Sequence, residues 1–80
     1  MQFDNRLVGS TIRRLRKEKG MTQEFLSSFA GIARSHLAMI ETGTKQPNFE
    51  TVWRIAQALN MSASSLVLEV ENEHLQNNTK

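Results

Sequence analysis

Thr22-Gln23-Glu24-Phe25-Leu26-Ser27-Ser28-Phe29-Ala30-Gly31-Ile32 runs directly into Ala33-Arg34-Ser35-His36-Leu37-Ala38-Met39-Ile40-Glu41-Thr42-Gly43, and this stretch decides the fold. Thr22 suits a helix N-cap, where its hydroxyl accepts from the free N–H groups of the first turn. Leu26, Phe29 and Ala30 then form an inward stripe at helical spacing. The acid that would complete a reciprocal cap falls at Glu24, not three residues after Thr22. Gly31 interrupts the pattern, and a second helix is expected over about residues 34–41 with Leu37 and Ile40 facing inward. Ala33, at the N-cap of that helix, offers no side-chain oxygen, a deficit of about 1 kcal/mol against Ser or Thr. Gly43 supplies the left-handed residue that ends it.

Working outward, residues 5–19 read as a helix in which Val8, Ile12 and Leu15 recur at helical spacing among Arg13, Arg14, Arg16 and Lys17. Gly20 closes it. On the other side, Pro47 biases Gln46 away from helical geometry, so residues 44–47 form a loop. Asn48 caps a fourth helix of about residues 49–59, with Phe49, Val52 and Leu59 expected in the core beside Ile55 and Ala56. Asn60 stands where a left-handed terminator is wanted, and Ser62 caps a short fifth helix reaching about Glu69. No segment alternates as a strand would. The expectation is an all-α domain of five short helices over residues 1–70, followed by a polar tail over residues 71–80 that is aperiodic and expected to be frayed from Asn72 onward.

The chain has 80 residues, 39% of them hydrophobic and 22% charged, with no cysteine. That length suits one small domain without a deep enclosed cavity, so a large cofactor-dependent enzyme is excluded. Lack of cysteine excludes disulfides, thiolate metal sites and a cysteine nucleophile. No apolar run is long enough to span a membrane, and the N-terminus lacks the basic-then-apolar pattern of a signal peptide, so a cytoplasmic protein is expected. The net charge of +2 is unevenly placed. Arg6, Arg13, Arg14, Arg16, Lys17 and Lys19 face only Asp4 and Glu18 in the first nineteen residues, whereas Glu50, Glu69, Glu71 and Glu73 outnumber Arg54 and Lys80 after residue 47. A basic front and an acidic back suit one face for a polyanion, although a solvated amphipathic helix has the same composition.

Two short helices joined by a glycine turn form a helix-turn-helix unit, whose first helix crosses the phosphate backbone while the second offers side chains to base edges in the major groove. The chain resembles the phage-repressor and Cro-like helix-turn-helix family, the XRE family. The resemblance is carried by Ile12-Arg13, Leu15-Arg16, Gly20 to Glu24, Leu26, Gly31 to Ser35, Leu37, Ile40-Glu41, Gly43, Pro47, Ile55-Ala56, Ala58 to Ser62 and Leu66. It implies a compact lambda-repressor-like fold. It implies base-reading positions at Arg34, Ser35, His36 and Met39, of which Arg34 is the strongest, because a guanidinium donates two hydrogen bonds to guanine O6 and N7. It implies phosphate contacts at Thr22, Gln23, Thr42, Thr44 and Lys45. Gln23 would also brace the recognition helix, and Arg16 and Glu41 would form an architectural ion pair. Arg14 and Lys17, on the basic face of the first helix, are further phosphate candidates through non-specific attraction. Ala38 and Met39 depart from the family by being apolar where relatives often place polar readers, and Phe25 replaces a usually charged residue.

No competing chemistry assembles. His36 and His74 are far apart without converging carboxylates, Ser27-Ser28 and Ser64-Ser65 lack a base at useful spacing, and the glycines make no phosphate-cradling loop. No cofactor, metal or small-molecule ligand is indicated. Trp53, Met61, Val67, Leu68 and Val70 exceed what one short helix buries, so they are dimer-interface candidates. The expectation is a homodimer on double-stranded DNA, regulating transcription from an approximate palindrome, with recognition helices about 34 Å apart. The size resembles restriction-modification controllers, small phage repressors and antitoxins of bacterial or phage origin, without a separate effector domain. The rival is a protein-interaction module that has lost DNA binding, and Gln23, Arg34 and Lys45 argue against it.

Overall fold

The computed structural model describes residues 4–78, with side chains through residue 76. They form α1 (Asn5–Glu18), α2 (Gln23–Ala30), α3 (Arg34–Thr42), α4 (Phe49–Ala58) and α5 (Ala63–Asn78). No strand occurs among the described residues, so the fold is all-α.

The helix ends follow local chemistry. Thr22 Oγ1 accepts from the Phe25 N–H at 3.0 Å, Asn48 Oδ1 from the Thr51 N–H at 2.8 Å, and Ser62 Oγ from the Ser65 N–H at 3.1 Å. Each satisfies a donor that has no partner inside its helix. Ala33 makes no side-chain cap. Gly31 and Gly43 end α2 and α3 in the left-handed region, with φ of 72° and 81°. The core joins every helix: Val8, Ile12 and Leu15 meet Leu26 and Ala30, Leu37 and Ile40, Ile55, Ala56 and Leu59, and Leu66. Burying each larger member contributes about 1.5–3 kcal/mol before conformational entropy is charged against it.

Gly9 explains how closely two helices approach. Glycine inside a helix normally costs about 0.5–1 kcal/mol relative to alanine. Here a Cβ would run into the carbonyl oxygens of Ile40 and Glu41. Thus α1 crosses the C-terminal end of α3 backbone against backbone.

Three expectations are corrected. Phe29 is 68% exposed, because the buried face of α2 is Leu26, Ser27 and Ala30. Phe29 stands round the flank, its ring 4.7 Å from that of Phe25. Phe49 is 72% exposed, since it opens α4 at the rim and turns toward Trp53, with ring centroids 6.4 Å apart. Finally, α5 continues to Asn78, so the polar segment expected to be frayed forms its last turns, while residues 79 and 80 lie outside the described residues. Ala63, Leu66, Glu69, Val70, Glu73 and His74 are its buried or half-buried positions, a helical stripe whose second half is polar apart from Val70.

Candidate nucleic-acid interface

The junction of α2 and α3 is built from the inside. Leu26, Leu37 and Ile40 are fully buried and Ala30 nearly so, which fixes the crossing of the two helices. At the turn, the Ile32 N–H donates to Ser27 O at 3.0 Å and the Gly31 N–H to Ser28 O at 3.2 Å. These bonds satisfy the last carbonyls of α2, and the left-handed Gly31 makes them geometrically available.

A polar network locks that crossing to α1. Arg16 Nε donates to Glu41 Oε2 at 2.7 Å and its Nη2 to Glu41 Oε1 at 3.0 Å, a two-pronged pair whose side chains are only 9% and 2% exposed. Arg16 Nη1 donates to Met21 O at 2.8 Å, and Gln23 Nε2 donates to Glu41 Oε1 at 3.0 Å. One carboxylate at the end of α3 therefore holds α1 and the start of α2, while Arg16 also ties the intervening loop. Among the described residues no buried side-chain polar atom lacks a partner. Burying two charges is costly, and full pairing is what offsets it.

The outer face of α3 is left open. Arg34, Ser35 and Met39 are exposed, while His36 and Ala38 are half-buried. Beyond α3, Thr42 Oγ1 lies 2.9 Å from Thr44 Oγ1 and bonds Met39 O at 3.1 Å. The Lys45 N–H donates to Met39 O at 3.1 Å, folding the loop back so that Thr42, Thr44 and Lys45 stay exposed beside the helix. Thr22 and Gln23 stand at the start of α2, the first committed to capping and the second to Glu41.

Arg14 and Lys17 do not join this group in the same way. Lys17 is exposed, but Arg14 is turned toward α5. Its Nε donates to Glu73 at 2.6 Å, its Nη2 to Glu69 at 2.7 Å and its Nη1 to Glu18 at 3.1 Å. Hydrogen bonds to Glu69 and then Glu73 push the guanidinium pKa upward, and all three of its nitrogens are occupied by carboxylates. A phosphate would have to displace carboxylates to reach it.

Arg6 was not singled out by the sequence reading. A Cβ on Gly43 would lie 2.6 Å from Arg6 Cγ and 3.0 Å from its Cα, so the first turn of α1 lies against the loop after α3. No local periodicity signals this, since it depends on the crossing at Gly9.

The interface candidates divide between the groove that α4 makes with α5 and a separate position on α5. Trp53, Met61 and Val67 line an open, mainly apolar hollow of about 650 Å³ with Phe49, Gln57 and Glu71. Val70 sits in an adjoining hollow of about 150 Å³ with Pro47, Val52 and Leu66. Leu68 lines neither and stands exposed, as does Leu75 seven residues on. Among the described residues no helix is long and apolar enough to cross a membrane.

Known proteins share this arrangement. The family described as helix-turn-helix matches residues 12–66. The HTH-type transcriptional regulator y4dJ of Sinorhizobium fredii is 42% identical over 62 residues, covering 78% of this chain and 80% of that protein. The immunity repressor of Bacillus phage phi105 is 36% identical over 91% of this chain, which spans 53% of the repressor's length. The restriction-modification controller C.AhdI from Aeromonas hydrophila superposes with a TM-score of 0.76 at 30% identity, covering 79% of this chain and 96% of the controller. The controller C.Esp1396I, solved as a tetramer with its natural 35 base-pair operator, superposes with a TM-score of 0.74 at 27% identity over 88% of this chain and 97% of the controller.

Proposed function

This chain belongs to the helix-turn-helix family of DNA-binding transcriptional regulators, and on that premise we propose that it binds an approximately palindromic operator as a homodimer and controls its own operon. The observation that carries the reading is the open outer face of α3, with Arg34, Ser35 and Met39 exposed on a helix whose angle is locked by the Arg16–Glu41–Gln23 network. A rigid helix with an uncommitted guanidinium at its start is what readout of base edges requires. Arg34 donates two hydrogen bonds to guanine O6 and N7, His36 reaches the same groove from its half-buried edge, and Met39 meets thymine methyl groups. Thr42, Thr44 and Lys45 contact the phosphates beside the groove, with Thr22 and Gln23 on the neighbouring strand and Lys17 adding non-specific attraction.

The pairing surface is the hollow between α4 and α5. Phe49, Trp53 and Val67 are exposed there, and an apolar hollow of this kind is stabilised when a second copy covers it. The two-fold axis sets the two α3 helices about 34 Å apart on successive major grooves. Autoregulation is supported by likeness to the controller proteins, of which C.Esp1396I is solved as a tetramer on its natural operator. The family is one of regulators and not of enzymes.

Arg34→Ala tests the reading. It weakens binding to an operator selected from random duplexes by about 1–3 kcal/mol while leaving random-sequence binding nearly unchanged. Equal loss on both, measured by fluorescence anisotropy, would make Arg34 a phosphate clamp and remove it from base readout.

A further inference from the structure

Three arginines of α1 meet carboxylates, and the three contacts differ in kind. Arg16 and Arg14 are held at 2.6–3.1 Å by Glu41 and by Glu69, Glu73 and Glu18. Arg6 is held only by Asp4, with Nε to Oδ1 and Nη2 to Oδ2 both at 3.3 Å, and its side chain is 81% exposed. Charge-assisted bonds usually close to about 2.7–2.9 Å, so this pair is loose, and exposed pairs contribute little.

Its location gives that looseness a use. Gly9 seats α1 on the carbonyls of Ile40 and Glu41, and one turn earlier Arg6 lies against Gly43. Gly43 is flanked by the exposed Thr42, Thr44 and Lys45. The guanidinium thus belongs to the same patch as the loop after α3, although it comes from the opposite end of the chain's first three helices.

We propose that Arg6 is a backbone-phosphate ligand of the bound duplex, held by Asp4 in the free protein and released when a phosphate replaces that carboxylate. This rests on the DNA-binding reading and adds a contact from α1 to it. The exchange suits the chemistry, since phosphate oxygens accept the same two parallel N–H donors that Asp4 accepts now. Asp4 keeps its other duty in the exchange, because its Oδ1 also accepts the Arg6 backbone N–H at 3.0 Å and caps α1.

Two duties on one carboxylate allow them to be separated. Asn caps a helix about as well as Asp but carries no charge, so Asp4→Asn frees the Arg6 guanidinium while α1 keeps its cap. The test is anisotropy on a random-sequence duplex across a salt series, for the wild type, Arg6→Gln, Asp4→Asn and the double variant, with thermal unfolding of each. Arg6→Gln lowers the magnitude of the salt slope by about 0.9 per protomer. Asp4→Asn tightens binding about two- to fivefold, the scale of one exposed pair, and that gain disappears in the Arg6→Gln background while the unfolding midpoint of Asp4→Asn stays put. A wild-type slope in Arg6→Gln overturns the proposal. So does a gain from Asp4→Asn that persists without Arg6, since it would be simple removal of an anion near DNA. No wild-type binding at all would overturn the DNA-binding reading and this one with it, whereas wild-type binding with an unchanged slope overturns the role of Arg6 alone.

Discussion

Arg16 and Arg14 stand two positions apart on α1, the first paired with one carboxylate and the second with three, and they make junctions of different depth. Arg16 is buried against Glu41 with all its donor nitrogens engaged, joining α1 to the end of α3 and, through Gln23, to α2. Arg14 is 37% exposed and reaches across to Glu69 and Glu73 on α5, whose other face lines the open apolar hollow through Val67 and Glu71. The first junction is closed and leaves nothing for a partner to complete. The second is solvated, and its helix has apolar surface still uncovered. A buried, fully paired charge fixes an angle; a solvated one adds only a tether.

Breaking each junction should separate them by energy. Glu41→Ala strands the buried Arg16 guanidinium and releases Gln23, and should cost about 3–5 kcal/mol in denaturant unfolding. A loss under about 1 kcal/mol would mean that the network does not set the crossing. On the other side, Trp53→Glu places a charge in the hollow and should weaken self-association by about 2 kcal/mol or more, read by sedimentation equilibrium. Unchanged association would move the pairing face elsewhere, with the exposed Leu68 and Leu75 the next place to look. Arg14→Gln is the smallest effect, under about 1 kcal/mol of stability, because its ion pairs are screened by water. A larger loss would show that the last turns of α5 depend on it.

The same contrast explains what could be read from the amino-acid order. Caps, glycine terminators and the stripes of Leu26, Leu37, Ile40 and Ile55 are local signals, so the five helices and most of the core are legible. The length of α5 is not, because its last turns are polar and their contact with Arg14 spans fifty-nine residues of sequence from Glu73. Phe29 and Phe49 mislead for a related reason: periodicity says which residues are apolar, not how much partner surface reaches each one. In the candidate site, Arg34 and the loop from Thr42 to Lys45 follow from the motif. The place of Arg6 needs the backbone crossing at Gly9, and the turning of Arg14 toward α5 needs carboxylates from the far end of the chain.

The central claim is that two copies of α3 lie in successive major grooves with Arg34 on guanine. Methylation interference at guanine N7, on an operator selected from random duplexes, tests it most directly. The account predicts two clusters of interference centred about 34 Å apart, both lost in Arg34→Ala, with phosphate protection kept beside them. A single cluster, or interference that persists without the Arg34 guanidinium, would contradict it.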